Sequence, residues 1–222
     1  MRLDQFLSAR TMYSRRELRQ MIQKGKATVD GAVVRKADQH VQPDENTVCL
    51  NGRHIPGDQY LYVLLHKPKG YVSSADEPGQ KSVLELVPPE LCRKDLRPVG
   101  RLDKDSTGML LLTDDGQLAH QVIAARSHVA KYYHIVLARP WEDSYAEKMA
   151  EGMVLADGAQ CLPAKAASVE GTDREALICL HEGKYHQVRR MFAAAGNHVA
   201  ELARIAMGGL EMPQDLEIGT CC

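Results

Sequence analysis

Apolar residues recur at helical spacing near the start of the chain and at strand spacing afterwards. Leu3, Phe6 and Leu7 stand at i, i+3 and i+4, which predicts a short amphipathic helix over the first nine residues. A second helix starts at Ser14. Ser14 suits an N-cap, and Glu17 three residues later completes a capping box. Leu18, Met21 and Ile22 form its apolar stripe and Gly25 ends it, while Arg15, Arg16, Arg19 and Lys24 fall on the opposite face. Ala27–Val29 and Ala32–Val34 flank Asp30-Gly31, and Val48–Leu50 and His54-Ile55 flank Asn51-Gly52. Each is a hairpin signal, because these dipeptides accept the left-handed turn conformation. Pro56-Gly57-Asp58 then reads as a linker, which divides the chain into 1–57 and 58–222.

Beyond the linker, strands and helices mix. Leu61–His66, Leu96–Val99, Met109–Thr113, Lys131–Arg139, Ala164–Val169, Ala176–Leu180 and Val199–Leu202 read as strands. Gln117–Ala124, Asp143–Glu151 and His186–Ala195 read as helices, the last ended by Gly196. The order lacks regular βαβ alternation, so the expected class is α+β with a largely antiparallel mixed sheet. No internal repeat or low-complexity tract is present.

Composition narrows the class. The chain has 222 residues, 44% hydrophobic and 26% charged, which is globular composition rather than disordered or fibrous. The longest apolar-aromatic run, Tyr60 to Leu65, is far shorter than the roughly 20 residues of a membrane helix. The start MRLDQFLSAR lacks the apolar core of a secretory signal. None of the six cysteines forms a C-x-x-C pair, so reduced thiols, a cytoplasmic setting and no cysteine zinc site are expected. Net charge is only −1, yet residues 1–36 hold nine Lys/Arg against three Asp/Glu, and residues 61–222 hold 18 against 22. A basic N-terminal segment on a mildly acidic body suggests a phosphate-binding module. A solvated basic face without a partner explains the same charge less economically.

Three constellations bear chemistry. Gly100-Arg101-Leu102-Asp103-Lys104-Asp105-Ser106-Thr107-Gly108 places carboxylates and cations in a glycine-bounded loop between strands. Its run from Asp103 to Asp114 nearly fits an EF-hand calcium loop, but position five is Thr and position twelve lacks the bidentate Glu. The segment Glu182 to Phe192 turns an apolar stripe of Val188, Met191 and Phe192 away from His186, Gln187, Arg189 and Arg190. Lys131-Tyr132-Tyr133 on a strand sends one tyrosine inward and one outward. Taken singly, each also reads as a polar turn, a charged helix face or core tyrosines. No nucleotide-binding glycine motif or H-E-x-x-H occurs, so no cofactor and no metal are expected.

Together these segments resemble the RsuA-type pseudouridine synthases over nearly the whole chain. Arg2-Leu3-Asp4, Ser14-Arg15-Arg16-Glu17, Gly25 and Val29-Asp30-Gly31 resemble an S4 RNA-binding domain. His66-Lys67-Pro68-Lys69-Gly70, the GRLDKDSTG loop, Leu111 to Gly116, the Lys-x-Tyr strand and the Glu-Gly-x-x-x-Gln-x-Arg helix resemble the catalytic domain. The stretch KYHQVRRMFAAAGNHV is most similar to the small-subunit rRNA members.

The resemblance implies an isomerase that turns a uridine of rRNA, a 516-type site of 16S rRNA, into pseudouridine. It implies Asp103 as the catalytic carboxylate, Tyr133 as the tyrosine stacking on the base, and Arg189 as the basic partner of Asp103. Arg101, Leu102 and Leu202 fall at the substrate pocket, and Arg2, Ser14, Arg15, Arg16, Arg19, Lys24 and Lys26 at the RNA. It further implies a cytoplasmic monomer that acts on a partly assembled small subunit, away from membranes. Two alternatives stand beside it: a synthase acting on 23S rRNA, and a non-catalytic S4 RNA-binding or assembly protein. The chain departs from the family pattern at Cys221-Cys222, where relatives continue with a basic-aromatic stretch, and an incomplete final strand is expected there. The reaction needs no redox change and no group donor. Asp103 either attacks C1′ or removes the 2′ proton to give a glycal; the residues fit both.

Overall fold

In the computed structural model, which describes residues 1–74 and 77–222, the chain forms two compact units. The first comprises Met1–Tyr62 with the later segments Pro88–Arg97 and Thr113–Asp115. Helices α1 (Leu3–Arg10) and α2 (Arg15–Gln23) precede a four-stranded sheet of β1 (Ala27–Val29), β2 (Ala32–Val34), β3 (Val48–Leu50) and β4 (Arg53–Ile55), in the order β2-β1-β3-β4. The capping box at Ser14 forms in full. Both hairpins turn where expected, with Asp30 and Asn51 left-handed at φ 51° and 52° and glycine following each. Leu3, Phe6, Leu7, Leu18 and Ile22 are fully buried against Val29, Val48 and Leu50. Each such side chain contributes about 1.5–3 kcal/mol through burial.

The two later segments join this unit through a buried ion pair. Arg93 Nη1 lies 2.9 Å from Asp114 Oδ2, with both side chains under a tenth exposed. Arg93 also donates to the Gln59 carbonyl at 3.2 Å, and Asp114 accepts from the Leu61 amide at 2.7 Å. A linear boundary at the 56–58 linker passes over these contacts because they come from distant sequence.

The second unit, Val63–Val87, Pro98–Leu112 and Gly116–Cys222, takes in all but an end residue of β5 (Tyr62–Lys67), β8 (Arg97–Pro98) and β9 (Thr107–Thr113), and the whole of β6 (Tyr71–Val72), β7 (Lys81–Ser82), α3 (Gly116–Ile123), β10 (Lys131–Leu137), α4 (Ser144–Glu151), β11 (Lys165–Ser168), β12 (Glu175–Leu180), α5 (Gln187–Ala194), β13 (Val199–Met207) and β14 (Leu210–Glu211). Its main sheet runs β11-β12-β10-β13-β9-β5, with β14 on β13 and β8 on β9. The β11/β12, β12/β10, β10/β13 and β13/β14 pairs are antiparallel, whereas β13 and β9 run parallel. The α+β class with a mostly antiparallel mixed sheet is therefore what forms.

Several strands differ from expectation, three of them beside the site. β5 runs one residue further, to Lys67, which is fully buried. The segment expected at Leu96–Val99 keeps only Arg97-Pro98 as strand. β13 continues from Leu202 to Met207, past the buried Arg204, which interrupts the apolar alternation; opposite it, the pairing with β10 shifts register between Tyr132 and Tyr133. At the C-terminus, Cys222 and Leu64 exchange both backbone hydrogen bonds, at 2.8 and 3.0 Å, so Gly219–Cys222 pairs antiparallel along β5.

Candidate active site

The GRLDKDSTG loop is built around one ammonium. Lys67 Nζ donates to the carbonyls of Ser106 at 2.7 Å, Asp103 at 2.9 Å, Pro68 at 3.1 Å and Lys104 at 3.4 Å. Ser73 Oγ holds the other limb, bonding both the amide and the carbonyl of Leu102 at 3.0 Å. The Gly70 amide donates to the Lys104 carbonyl at 2.7 Å. Burial pushes the Lys67 amine down to about 8, opposed by the charges of Asp105 and Asp103.

This geometry answers the calcium alternative. The cation inside the loop is Lys67, and the carboxylates face three different partners. Asp103 meets His186, Asp105 meets Arg189 and Asp114 meets Arg93. Among the described residues no group of three or more His, Cys, Asp or Glu is placed to hold a metal.

Asp103 lies at a pocket of about 620 Å³ lined also by Arg101, Leu102, Lys131, Tyr133, Leu202 and Arg204. That volume suits a single nucleotide unit. Tyr133 is 8% exposed and lines the pocket, while Tyr132 is 41% exposed on the other face of β10. Leu202 sits two residues from Arg204 on β13, and the ladder places Tyr133 opposite Arg204 and Ile135 opposite Leu202. Five sequence-selected residues, Arg101, Leu102, Asp103, Tyr133 and Leu202, thus line one cavity.

Arg189 is placed differently from the expectation. Its Nη2 lies 2.8 Å from Asp105 Oδ2 and its Nη1 donates to the Val199 carbonyl at 2.8 Å. The basic side chain facing Asp103 is His186, with Nε2 3.3 Å from Oδ1. The physical reason lies in the turn before α5. His186 stands just ahead of the helix at φ 47°, a left-handed conformation costing about 1–3 kcal/mol for a residue with a Cβ. Glu182 and Gln187 hold that turn. Gln187, expected on a polar face, is 4% exposed and donates to Glu182 Oε1 at 2.6 Å, while its own Oε1 accepts from the Lys184 amide at 2.9 Å. Burial would raise the Glu182 carboxyl, but hydrogen bonds from Lys184, the Leu162 amide and Gln187 hold it below the ordinary glutamate range. Tyr185 stacks on His186 with centroids 3.9 Å apart.

In the first unit, the basic residues expected at the RNA divide into two groups. Arg15 Nη2 and Arg19 Nε each lie 3.0 Å from Asp4 Oδ2, and Arg2 Nε lies 3.2 Å from Asp4 Oδ1. Asp4 is fully buried; burial would raise its carboxyl, but the three guanidinium groups hold it below the usual aspartate range. Arg16, Lys24 and Lys26 are exposed, and Ser14 is used in its cap.

Sequence reading passed over Lys67, Ser73, His186 as the group at Asp103, and Arg204. Lys67 stands in the His66–Gly70 motif with no role assigned to it, and Arg204 is a charged residue just past the expected end of an apolar strand.

The family model for RNA pseudouridylate synthase matches residues 61–194, and an S4 domain model matches residues 1–46. The chain belongs to the RNA pseudouridylate synthase family and is an RNA pseudouridine synthase, an isomerase, with an N-terminal S4 domain. It is 39% identical over 220 residues to ribosomal small subunit pseudouridine synthase A of Escherichia coli (strain K12), covering 99% of this chain and 94% of that one. It is 35% identical over 221 residues to the uncharacterized RNA pseudouridine synthase YtzG of Bacillus subtilis (strain 168), covering 99% and 92%. A crystal structure of a pseudouridylate synthase superposes with a TM-score of 0.68 at 30% identity, covering 100% of this chain and 95% of that one. Among the described residues, no helix is long and apolar enough to cross a membrane.

Proposed function

We propose that this chain converts one uridine of 16S rRNA, at a 516-type site, to pseudouridine. The substrate is the partly assembled small subunit, and the chain acts on it as a cytoplasmic monomer. The observation that carries this reading is the Asp103 carboxylate, a quarter exposed and lining a nucleotide-sized pocket with Tyr133 and Leu202. The names of the small-subunit relatives support the choice of rRNA.

Asp103 acts on the ribose, at C1′ or at the 2′ proton, and His186 beside it orients the carboxylate. Tyr133 offers a face to the uracil that has left its stack, offsetting part of an unstacking cost of a few kcal/mol. Leu202 packs at the base and Arg101 and Leu102 frame the entrance. Arg189 acts by fixing Asp105 and the start of β13. Residues 1–57 hold RNA phosphates through Arg16, Lys24 and Lys26, with Arg2, Arg15 and Arg19 organised around Asp4. Residues 58–222 carry the chemistry.

The test is carbodiimide primer extension on 16S and 23S rRNA taken from partly assembled ribosomal subunits of a strain lacking the gene, incubated with and without the protein. One new stop in 16S rRNA is expected. A stop only in 23S rRNA, or none, would overturn the rRNA assignment.

A further inference from the structure

Arg204 is 1% exposed, and its surroundings do not account for its charge. Its Nε donates to the Met109 carbonyl at 2.8 Å. Its Nη2 is fully buried without a hydrogen-bond partner. Among the described residues no carboxylate pairs with it. A guanidinium buried this way is strongly unfavourable unless an acceptor arrives from elsewhere.

The location says what kind of acceptor. Arg204 lines the same pocket as Asp103 and stands directly across the β10/β13 ladder from Tyr133. A second cation, Lys131, lines that pocket two residues before Tyr133 on β10. Lys131 gives its Nζ to the Val129 carbonyl at 2.9 Å, and burial and the nearby Arg204 both lower its proton affinity. Two adjacent cations thus border the wall against which the proposed base stacks.

The reaction supplies a matching anion. When the C1′–N1 bond breaks, its electron pair stays on N1 and the base leaves as uracilate, its charge shared with O2 and O4. Asp103 takes C1′ or the 2′ proton in that step. The base then turns, C5 bonds to C1′, the C5 proton is lost and N1 gains one, so no atom is gained overall. Between cleavage and rejoining, the negative charge sits on the ring lying against Tyr133.

We propose that Arg204, assisted by Lys131, is the cationic cradle of the uracilate: it binds a carbonyl oxygen of the base and stabilises the anion as the glycosidic bond breaks. The assignment rests on the pocket being the uridine site proposed above. Stabilisation of this kind is largest where charge develops in a water-poor site.

The test uses the full-length chain with small subunits partly assembled on 16S rRNA transcribed from uridine or from 5-fluorouridine triphosphate. Fluorine withdraws electrons and stabilises the departing anion by itself. Single-turnover loss of the N-glycosidic uridine or fluorouridine at the target is followed by nuclease digestion and mass spectrometry. Arg204→Met is expected to slow uridine cleavage at least 100-fold and fluorouridine cleavage tenfold or less, with RNA affinity retained. If Arg204→Met does not fold by circular dichroism, Arg204→Lys carries the same comparison, since a displaced charge must again cost more on uridine. Equal losses on both RNAs, or no loss, with wild type active, would overturn the cradle. Wild type inert on both RNAs would instead overturn the proposed substrate.

Discussion

The Lys67 ammonium lies 2.9 Å from the backbone carbonyl of Asp103, the residue whose side chain faces the pocket. The charge that shapes the catalytic loop is therefore delivered from β5, through the backbone, and leaves the Asp103 carboxylate for His186.

Lys67 should couple folding to alkaline pH. Its folded proton affinity is lowered to about 8, against about 10.4 in an unfolded chain. Between those values the unfolded chain binds more protons, so this residue's contribution to stability rises with pH across that window. The unfolding free energy of wild type relative to Lys67→Met should gain up to about 3 kcal/mol from pH 7 to pH 11. Urea titrations across that range check it, and a difference that falls with pH would show that the four carbonyl acceptors outweigh burial.

Tyr133 and Tyr132 should separate in function because they occupy opposite faces of β10. Tyr133→Phe keeps the stacking ring but removes the hydroxyl, and should bind RNA while turning over at least tenfold more slowly. Tyr132→Phe should match wild type. Rapid-quench assays on both variants decide, and the reverse pattern would place the strand register one residue off.

The S4 unit should bind through the exposed cations. Replacing Arg16, Lys24 and Lys26 together with Ala should flatten the slope of log affinity against log salt by about 2 to 3 units, at roughly 0.7–0.9 per phosphate contact. At saturating RNA kcat should hold while KM rises, since such contacts serve ground and transition states alike. A large fall in single-turnover rate at saturation would give this unit a part in the chemistry.

Asp4 should protect the same unit above acid pH. Its lowered carboxyl means its stabilisation is complete above the unfolded value of about 3.9 and is lost as pH falls through the lower folded value. Asp4→Asn should therefore be less stable than wild type at pH 7, with the gap closing below about pH 4. A gap independent of pH in thermal melts would remove the three-arginine pairing from the explanation.

Gly108 should tolerate no side chain. At φ +106° its hypothetical Cβ falls 2.2 Å from the Arg204 carbonyl oxygen and 2.6 Å from the Arg204 nitrogen. Gly108→Ala should cost about 3 kcal/mol or more and disturb both the loop and β13. Denaturant unfolding that shows a loss under about 1 kcal/mol would contradict so close an approach.

Local chemistry was legible where it is self-contained. The Ser14 capping box, the Asp30-Gly31 and Asn51-Gly52 turns and the tyrosine facing are each set by neighbours in sequence. Asp103, Tyr133 and Leu202 could be selected by motif, but their meeting in one pocket depends on β10 pairing with β13 and β13 with β9. What escaped are charged side chains whose contacts are long-range. Lys67 finds three of its four acceptors 36 to 39 residues away, Arg204 bonds Met109 across 95 residues, and Arg189 turns to Asp105 while the 182–187 turn brings His186 to Asp103. Burying a charged side chain opposes its preference for water, so no hydropathy pattern announces it.

Release of C5 tritium from partly assembled small subunits that carry uridine-labelled 16S rRNA, compared between wild type and Asp103→Asn, tests the central claim most directly. This substitution keeps size and polarity and removes only the charge. Wild type should release one equivalent per RNA, and Asp103→Asn none, while binding RNA within about tenfold of wild type, or about 1.4 kcal/mol. Multiple-turnover release by Asp103→Asn, or none from wild type, would contradict it.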